Sequence, residues 1–376
     1  MLQTFSVKGF KNFSEEITFK LKGGNFEFNN NGIRDDIVKT AVIYGDNASG
    51  KSNLGLAIMD IVTHLTDNNS NTKEYVNHYL NLNDKNIKKA DFKYIFKFDD
   101  DIVEYRYSKT DYDKLSEEVL LVNKKEVIVN QPKKDNRIIN LTGTDTLNIR
   151  REDLSLVKLV YANANISDKS GKNEEKNDTQ VFFKFMEFVN NMLSFDSIYG
   201  NHYRGFTTGR GNIPEKIVEK GKIKGYQKFL SYLGIEYNLF PKDVDGKKEI
   251  YAKFPSGKIA NFFSIMSKGT MSLSLFYMWY MQFEEGVQFV FIDEFDSYFH
   301  HKVSRKLVKL LLDTSNIQVV LTTHNTANMS NELLRPDCYF VLENGTIDNI
   351  ANRSGREIRK AQSIEKMYRA GAFDNE

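Results

Sequence analysis

Residues 45–52 read Gly45-Asp46-Asn47-Ala48-Ser49-Gly50-Lys51-Ser52 and satisfy G-x-x-x-x-G-K-[ST] at every fixed position. Upstream, Thr40 to Tyr44 (TAVIY) is a short apolar, β-branched run of the kind that forms a buried strand. Downstream, Asn53 to Leu65 (NLGLAIMDIVTHL) carries apolar residues at helical spacing. Strand, glycine-bounded turn and helix, in that order, turn a string match into a phosphate site. Gly45 and Gly50 free the backbone, so the loop N–H groups can point around an anion at the positive end of the helix. Lys51 is expected to reach the β- and γ-phosphates, and Ser52 to give Mg²⁺ a hydroxyl ligand. Asn47 and Asn53, within and just after the loop, join the candidate nucleotide contacts. The motif specifies a nucleotide phosphate without choosing adenine over guanine.

The rest of the composition narrows the setting. The chain has 376 residues, enough for one large domain or two modest ones. With 52 basic and 50 acidic residues there is no overall basic field for nucleic acid, although local patches remain open. The one cysteine, Cys338, excludes an internal disulfide and suits a reducing cytoplasm. The start, MLQTFSVKGF, alternates like a strand and lacks a signal-peptide core. The most apolar helical stretch, Leu273 to Phe283, is far short of the ~20 residues a membrane span needs. A cytoplasmic protein with no membrane partner is expected.

Strands are expected around Leu2 to Val7 and Ile17 to Leu21. Thr66 to Lys73 reads as a loop. Phe92 to Tyr107 reads as a hairpin about its acidic turn, and Val119 to Val129 as further antiparallel strand. Lys169 to Gln180 is the most polar run and reads as a mobile loop or linker. Val181 to Leu193 and Glu215 to Leu233 have helical spacing, with the Gly/Arg-rich loop Tyr199 to Pro214 between them. The final third alternates helix and strand: Ser272 to Phe283, Gln288 to Ile292, Ser304 to Leu312, Gln318 to Thr322, Asn325 to Leu334, Tyr339 to Leu342. Such alternation implies a parallel sheet with ligands at the carboxyl ends of its strands. Three parts are expected. Residues 1–160 form an N-terminal lobe with an antiparallel β subdomain. Residues 161–260 form a mostly helical insertion, and 261–376 a C-terminal lobe.

Asp293 and Glu294 end the run QFVFI, which is the Walker B pattern. Asp293 would hold Mg²⁺, and Glu294 would orient or deprotonate the attacking water. His324, one strand later in LTTHN, is placed to contact the γ-phosphate. Ser267-Lys268-Gly269-Thr270 opens a helix and presents hydroxyls, N–H groups and a helix dipole. Taken alone, that tetrapeptide reads better as an ordinary helix cap.

Order joins these pieces. Phosphate loop, Ser-x-Gly-Thr, Asp-Glu and His follow one another as they do in ABC-type ATPases. The motifs GDNASGKSN, SKGT, FIDEFDSYFHH and TTHNT, with FSVKGFKNF and SIEKMYRAGAF at the two ends, resemble the ABC-class AAA-family ATPases related to SMC, RecF and OLD proteins. Within these they resemble the RloA/AbiL-type group of bacterial abortive-infection and anti-phage systems. The resemblance covers both ends of the chain and little of residues 110–260. It implies an α/β, ABC-type P-loop NTPase fold and hydrolysis of ATP with Mg²⁺. It also implies a head-to-tail homodimer, with higher oligomers possible, in which Ser267, Gly269 and Thr270 touch the γ-phosphate held by the other chain. Asp296 would lie in the loop crossing that interface. Gln131 and Asn163 to Asn165 are the candidates for the family's Q-loop glutamine.

OLD-type nucleases carry a Toprim domain after the ATPase. Too little sequence follows His324 for one, and no zinc spacing or R-x4-6-H signature is present. A separate nuclease or toxin is therefore the expected effector, meeting the insertion or the loop from Arg204 to Arg210. Two other functions share these motifs. One is a RecF-like DNA-repair ATPase using Lys133, Lys134, Arg137 and the stretch from Arg353 to Lys360. The other is an ATP-binding scaffold or sensor with little turnover.

Overall fold

The computed structural model describes residues 1–68, 73–141, 154–163, 178–196, 202–207, 212–314 and 316–374. Thr40–Tyr44 offers water no polar face, and all five residues are buried. It lies between two parallel neighbours, Gln318–Thr322 and Tyr339–Glu343. Phe289–Asp293 pairs parallel with Gln318–Thr322, and Met192–Asp196 pairs parallel with Phe289–Asp293. Antiparallel edge strands Tyr203–Gly205 and Thr346–Asn349 complete this seven-stranded sheet. The five parallel strands end on one rim, which is where such sheets bind ligands.

A second sheet is wholly antiparallel. It runs Asn136–Ile139, Lys125–Gln131, Lys114–Val122, Asp101–Asp111, Ala90–Phe98, Leu2–Lys8, Ile17–Lys20. The expected hairpin is there. The stretch Val119 to Val129 is divided between two strands by Asn123-Lys124, whose φ values of 49° and 70° suit a tight hairpin turn. Gln318 joins the sheets: its amide donates to Leu2 O (2.8 Å) and Val38 O (3.0 Å) and accepts from Leu2 N (2.8 Å).

The phosphate-loop helix, Lys51–Leu65, is held between the two sheets. On one side Tyr94 OH donates to Ala57 O (2.8 Å), and the Tyr75 hydroxyl donates to Leu56 O (2.7 Å). On the other, Gly55 lies so close to the Phe291 ring that a Cβ would collide with it. A glycine at this point brings the helix down onto the strand that carries Asp293.

Two expectations are corrected. The stretch 161–260 is not mostly helical among its described residues. Helices Asp178–Asn190, Ile213–Glu219 and Ile223–Leu233 are joined by the strands Met192–Asp196, Tyr203–Gly205, Asn238–Val244, Lys247–Lys253 and Ile259–Asn261. The first two strands belong to the central sheet, so part of this stretch is core rather than insertion. Val181 to Leu193 mixes both states, because the helix ends at Asn190 and a strand begins at Met192. The polar run Lys169 to Gln180 lies outside the described residues except for its last three, which open that helix. Asn325 to Leu334 is no helix either. Only the 3-10 turn Thr326–Asn328 forms there. The Asn325 carboxamide caps Ala327 N (3.1 Å), and Asn328 turns inward to Asp296 (2.8 Å), so side chains take the bonds a helix would need. Among the described residues no helix is long and apolar enough to cross a membrane.

Candidate nucleotide site

The phosphate loop is held in shape by its own residues and by the N-terminal turn. Gly50 has φ +107°, and a Cβ there would strike the Asn12 carboxamide. Lys51 is buried and donates back to Gly45 O (2.9 Å) and Asp46 O (3.1 Å), which brackets the loop. Burial lowers the Lys51 ammonium below the ordinary lysine range, and Glu294 and Asp293 oppose that shift. Asn53 donates to Asn12 Oδ1 (2.8 Å), while Asn12 donates to Ser49 O (3.4 Å). Asn12, in the N-terminal GFKNF turn, therefore buttresses the loop, a role that sequence reading missed. Asn47 is exposed at the tip. Ser49 Oγ is buried with no hydrogen-bond partner among the described residues. An orphaned hydroxyl inside an anion cradle fits a phosphate oxygen.

Phe289–Asp293 delivers the acidic pair to the same rim. Ser52 hydrogen-bonds the Asp293 carboxylate. Thr322 Oγ1 donates to Asp293 Oδ1 (2.5 Å) and accepts from Glu294 N (2.8 Å). Glu294 has φ +49°, which turns its side chain out of the strand line. Its carboxylate accepts from Ser297 Oγ (2.7 Å) and meets His324 Nε2 at 3.2 Å. A hydroxyl and a carboxylate oxygen are the hard donors that Mg²⁺ prefers, so Ser52 and Asp293 fit the metal of a nucleotide complex.

Burial raises Asp293 above the usual carboxylate range, Ser52 and Thr322 pull it down, and the neighbouring Glu294 charge adds to the rise. A carboxylate raised on folding loses stability as pH rises through its folded pKa. Asp293→Asn, which removes that charge, is expected to melt higher than the parent at neutral pH without metal, with the gap closing in acid. The same change should cut Mg²⁺-dependent turnover by about 100-fold or more. Melting curves at two pH values and phosphate-release rates check both halves.

A cavity of about 350 Å³ adjoins Ser52, Asp293 and Glu294, with Asp196, His202 and Arg204 on its far wall. Asp196 ends the neighbouring strand, level with Asp293. Sequence reading missed it because the helical spacing of Val181 to Leu193 runs over the first two residues of this strand, and no strand is expected there. Of the Q-loop candidates, neither Gln131 nor Asn163 lines this cavity. Gln131 accepts from Asn136 Nδ2 (3.1 Å) at the far end of the antiparallel sheet, and Asn163 ends a helix. Ala164 and Asn165 lie outside the described residues. Arg204 is no surface residue: it is buried, pairs with Glu74 and lies 4.9 Å over the Tyr75 ring. Arg210 lies outside the described residues.

Ser267 caps the helix Lys268–Tyr280, its Oγ accepting from Thr270 N (3.1 Å). Gly269 packs beside the Tyr298 carbonyl, in the segment that follows Glu294. Ser267 and Lys268 are exposed, and the turn does not line the cavity beside Ser52. Asp296, expected in a loop that crosses the dimer interface, has its side chain turned into its own chain. It is 5 % exposed and accepts four hydrogen bonds from its own chain. The C-terminal motif closes over the loop after His324, with Arg369 donating to Thr326 Oγ1 (3.0 Å).

A phosphate loop and an Asp-Glu strand on one rim, separated by the strand leading to His324, with an antiparallel sheet over the loop helix, define an ABC-type P-loop NTPase. The chain belongs to the family described as "AAA domain, putative AbiEii toxin, Type IV TA system", which matches residues 41–330. The search of curated proteins gave no match. Among solved structures the chain is similar to the SMC head domain from Thermotoga maritima, at 14% identity and TM-score 0.45, over 92% of this chain and 97% of that one. It is similar to an Smc head bound to the C-winged helix domain of ScpA, at 17% and 0.47, over 92% and 96%. A third is the Smc head with an extended coiled coil bound to the C-terminal domain of ScpA, from Pyrococcus furiosus, at 14% and 0.48, over 98% of each chain.

Proposed function

We propose that this protein hydrolyses ATP with Mg²⁺, closes head to tail on a second copy around the nucleotide, and uses the cycle to control a separate nuclease or toxin in anti-phage defence. The observation that carries the enzymology is the Glu294–His324 pair, 3.2 Å apart beside Ser52 and Asp293. A pure binder has no need of a carboxylate at that point. Glu294 takes the proton of the attacking water, His324 meets the γ-phosphate, and Lys51 with the loop N–H groups offsets the charge that develops on the leaving phosphates. Ser52 and Asp293 would hold Mg²⁺, which would supply further charge neutralisation.

The dimer is supported by the surface around the signature turn. Ser267 and Lys268 face solvent, and Ile265, Met271 and Tyr298 are 43 %, 39 % and 44 % exposed. Apolar side chains around an outward-facing anion turn suit a surface that is covered when nucleotide is bound. The defence role and the RloA/AbiL-type placement follow from the motif set. The family description, which names a toxin of a toxin–antitoxin system, agrees with that direction. For the DNA-repair alternative, Arg353 is already committed to Phe373 O (3.0 Å) and Val341 O (3.0 Å), while Lys133, Lys134, Arg137, Arg356, Arg359 and Lys360 are exposed and would be its contacts.

Subunit complementation tests the shared site. Lys51→Ala and Gly269→Asp chains are each expected to be inactive. Mixed in equal amounts, they should recover about a quarter of wild-type phosphate release, since random pairing gives half heterodimers and each has one intact composite site. No recovery, with heterodimers demonstrated, would remove the head-to-tail arrangement.

A further inference from the structure

Asp296 is the centre of a buried polar knot. Its Oδ1 accepts from Thr323 Oγ1 (2.5 Å). Its Oδ2 accepts from Ser304 Oγ (2.7 Å), Asn328 Nδ2 (2.8 Å) and Asn325 Nδ2 (3.1 Å). Thr323 and Asn325 are the residues on either side of His324. Thr323 Oγ1 also accepts from Asn325 N (2.8 Å), so the three-residue bend is locked from both ends. Asp296 itself follows Glu294 by two residues. The chain between them is fixed by Phe295 N donating to Thr322 O (3.1 Å). One carboxylate therefore grips the segment carrying the glutamate and the segment carrying the histidine.

We propose that Asp296 is a positioning residue that sets His324 against Glu294. The inference rests on the catalytic reading of that pair. His324 is 37 % exposed and Glu294 24 % exposed by side chain, so their contact is not held by packing alone. The four donors around Asp296 are neutral, so the carboxylate holds them by charge-assisted bonds, which are stronger than neutral ones. A carboxamide in its place must turn an NH₂ toward a donor and lose at least one of them. Helix His301–Leu312 enters the same knot through Ser304, so movement of that helix on partner docking would be felt at His324.

The test is a double-mutant cycle of Asp296→Asn and His324→Ala, read as phosphate release and as nucleotide affinity. Asp296→Asn alone should lower kcat about tenfold with ATP affinity unchanged, and in the His324→Ala background it should cost almost nothing further, as coupled residues behave. Equal losses in both backgrounds would overturn the proposal, since a merely structural role acts whether or not the histidine is present. The second readout does not depend on turnover. In protein labelled at its six histidines, Asp296→Asn should move the His324 ring resonance and leave those of His64 and His78, remote from the knot, in place. An unmoved His324 signal would also overturn it. Thr323→Val serves as a milder variant that removes only the Oδ1 partner, and should move the same resonance. Absence of phosphate release from the wild-type protein, with the histidine shift intact, would refute the hydrolytic reading and leave the positioning role standing.

Discussion

Glu294→Gln is expected to abolish phosphate release while leaving ATP bound. The replacement is isosteric, and the backbone that aims the side chain stays in place because Glu294 N is held by Thr322 Oγ1 (2.8 Å). An amide oxygen can still accept from Ser297, now 2.7 Å from the carboxylate. What the amide cannot do is take a proton from water. General-base catalysis is worth about 10²–10⁴-fold, so a loss of at least 100-fold in kcat is expected. Nucleotide affinity should change by less than about threefold, because the loop, Lys51 and Ser52 are untouched. The variant should also accumulate the closed dimer with ATP, visible as a doubled mass in light scattering. Turnover within a fewfold of wild type would remove Glu294 from the role of base. Lost turnover together with lost binding would mean that the residue shapes the pocket instead. The scaffold reading predicts a third pattern, in which the wild-type protein already behaves like the variant.

The nucleotide core could be read from the chain because each of its parts is local. Strand Thr40–Tyr44, helix Lys51–Leu65 and strand Gln318–Thr322 are set by short runs whose periodicity decides them. Asp293, Glu294 and His324 follow as strand-end residues. The parts that escaped are those decided at a distance. The strand Met192–Asp196 is hidden because the helical spacing of Val181 to Leu193 takes in its first two residues. The Asn190-Asn191 pair was the available break signal, and pairing with Phe289–Asp293 decides the state. The buried setting of Asp296 escaped for a related reason. Position in a motif says which residue follows the glutamate, but its inward turn is set by Thr323, Asn325 and Asn328, the last two in a stretch expected to be helix. Asn12 and Arg204 reach the site from remote elements, and no spacing within either segment announces it.

The largest effect on stability is expected at Asp60, on the buried side of the phosphate-loop helix. Asp60 and Lys109 have side-chain exposures of 0% and 1%, and their Oδ1 and Nζ lie 2.7 Å apart. Tyr107 and Tyr79 each donate a hydroxyl to the Asp60 carboxylate at 2.9 Å, while Lys109 also donates to Tyr112 O (3.1 Å). The pair thus pins the loop helix to the antiparallel sheet. Removing one partner leaves the other as an uncompensated buried charge, and Asp60→Ala or Lys109→Ala should cost about 3–5 kcal/mol. Replacing both with apolar residues should cost less than either single change, because a buried ion pair gives back little beyond its own desolvation. The pH dependence gives a signature. Burial lowers the Lys109 ammonium below the ordinary lysine range, and Asp60 opposes that shift. Without Asp60 the main opposition to that lowering is gone, and only the lesser pull of the Asp113 charge remains. A base depressed on folding binds fewer protons than in the unfolded chain, so stability rises with pH through its folded pKa toward the ordinary lysine value. Urea unfolding of Asp60→Ala should therefore show a higher midpoint at about pH 9.5 than at about pH 7, by a larger margin than in the parent protein. A flat response would mean that water or another acceptor reaches Lys109 once the carboxylate is gone, and that the helix is not held to the sheet by this charge.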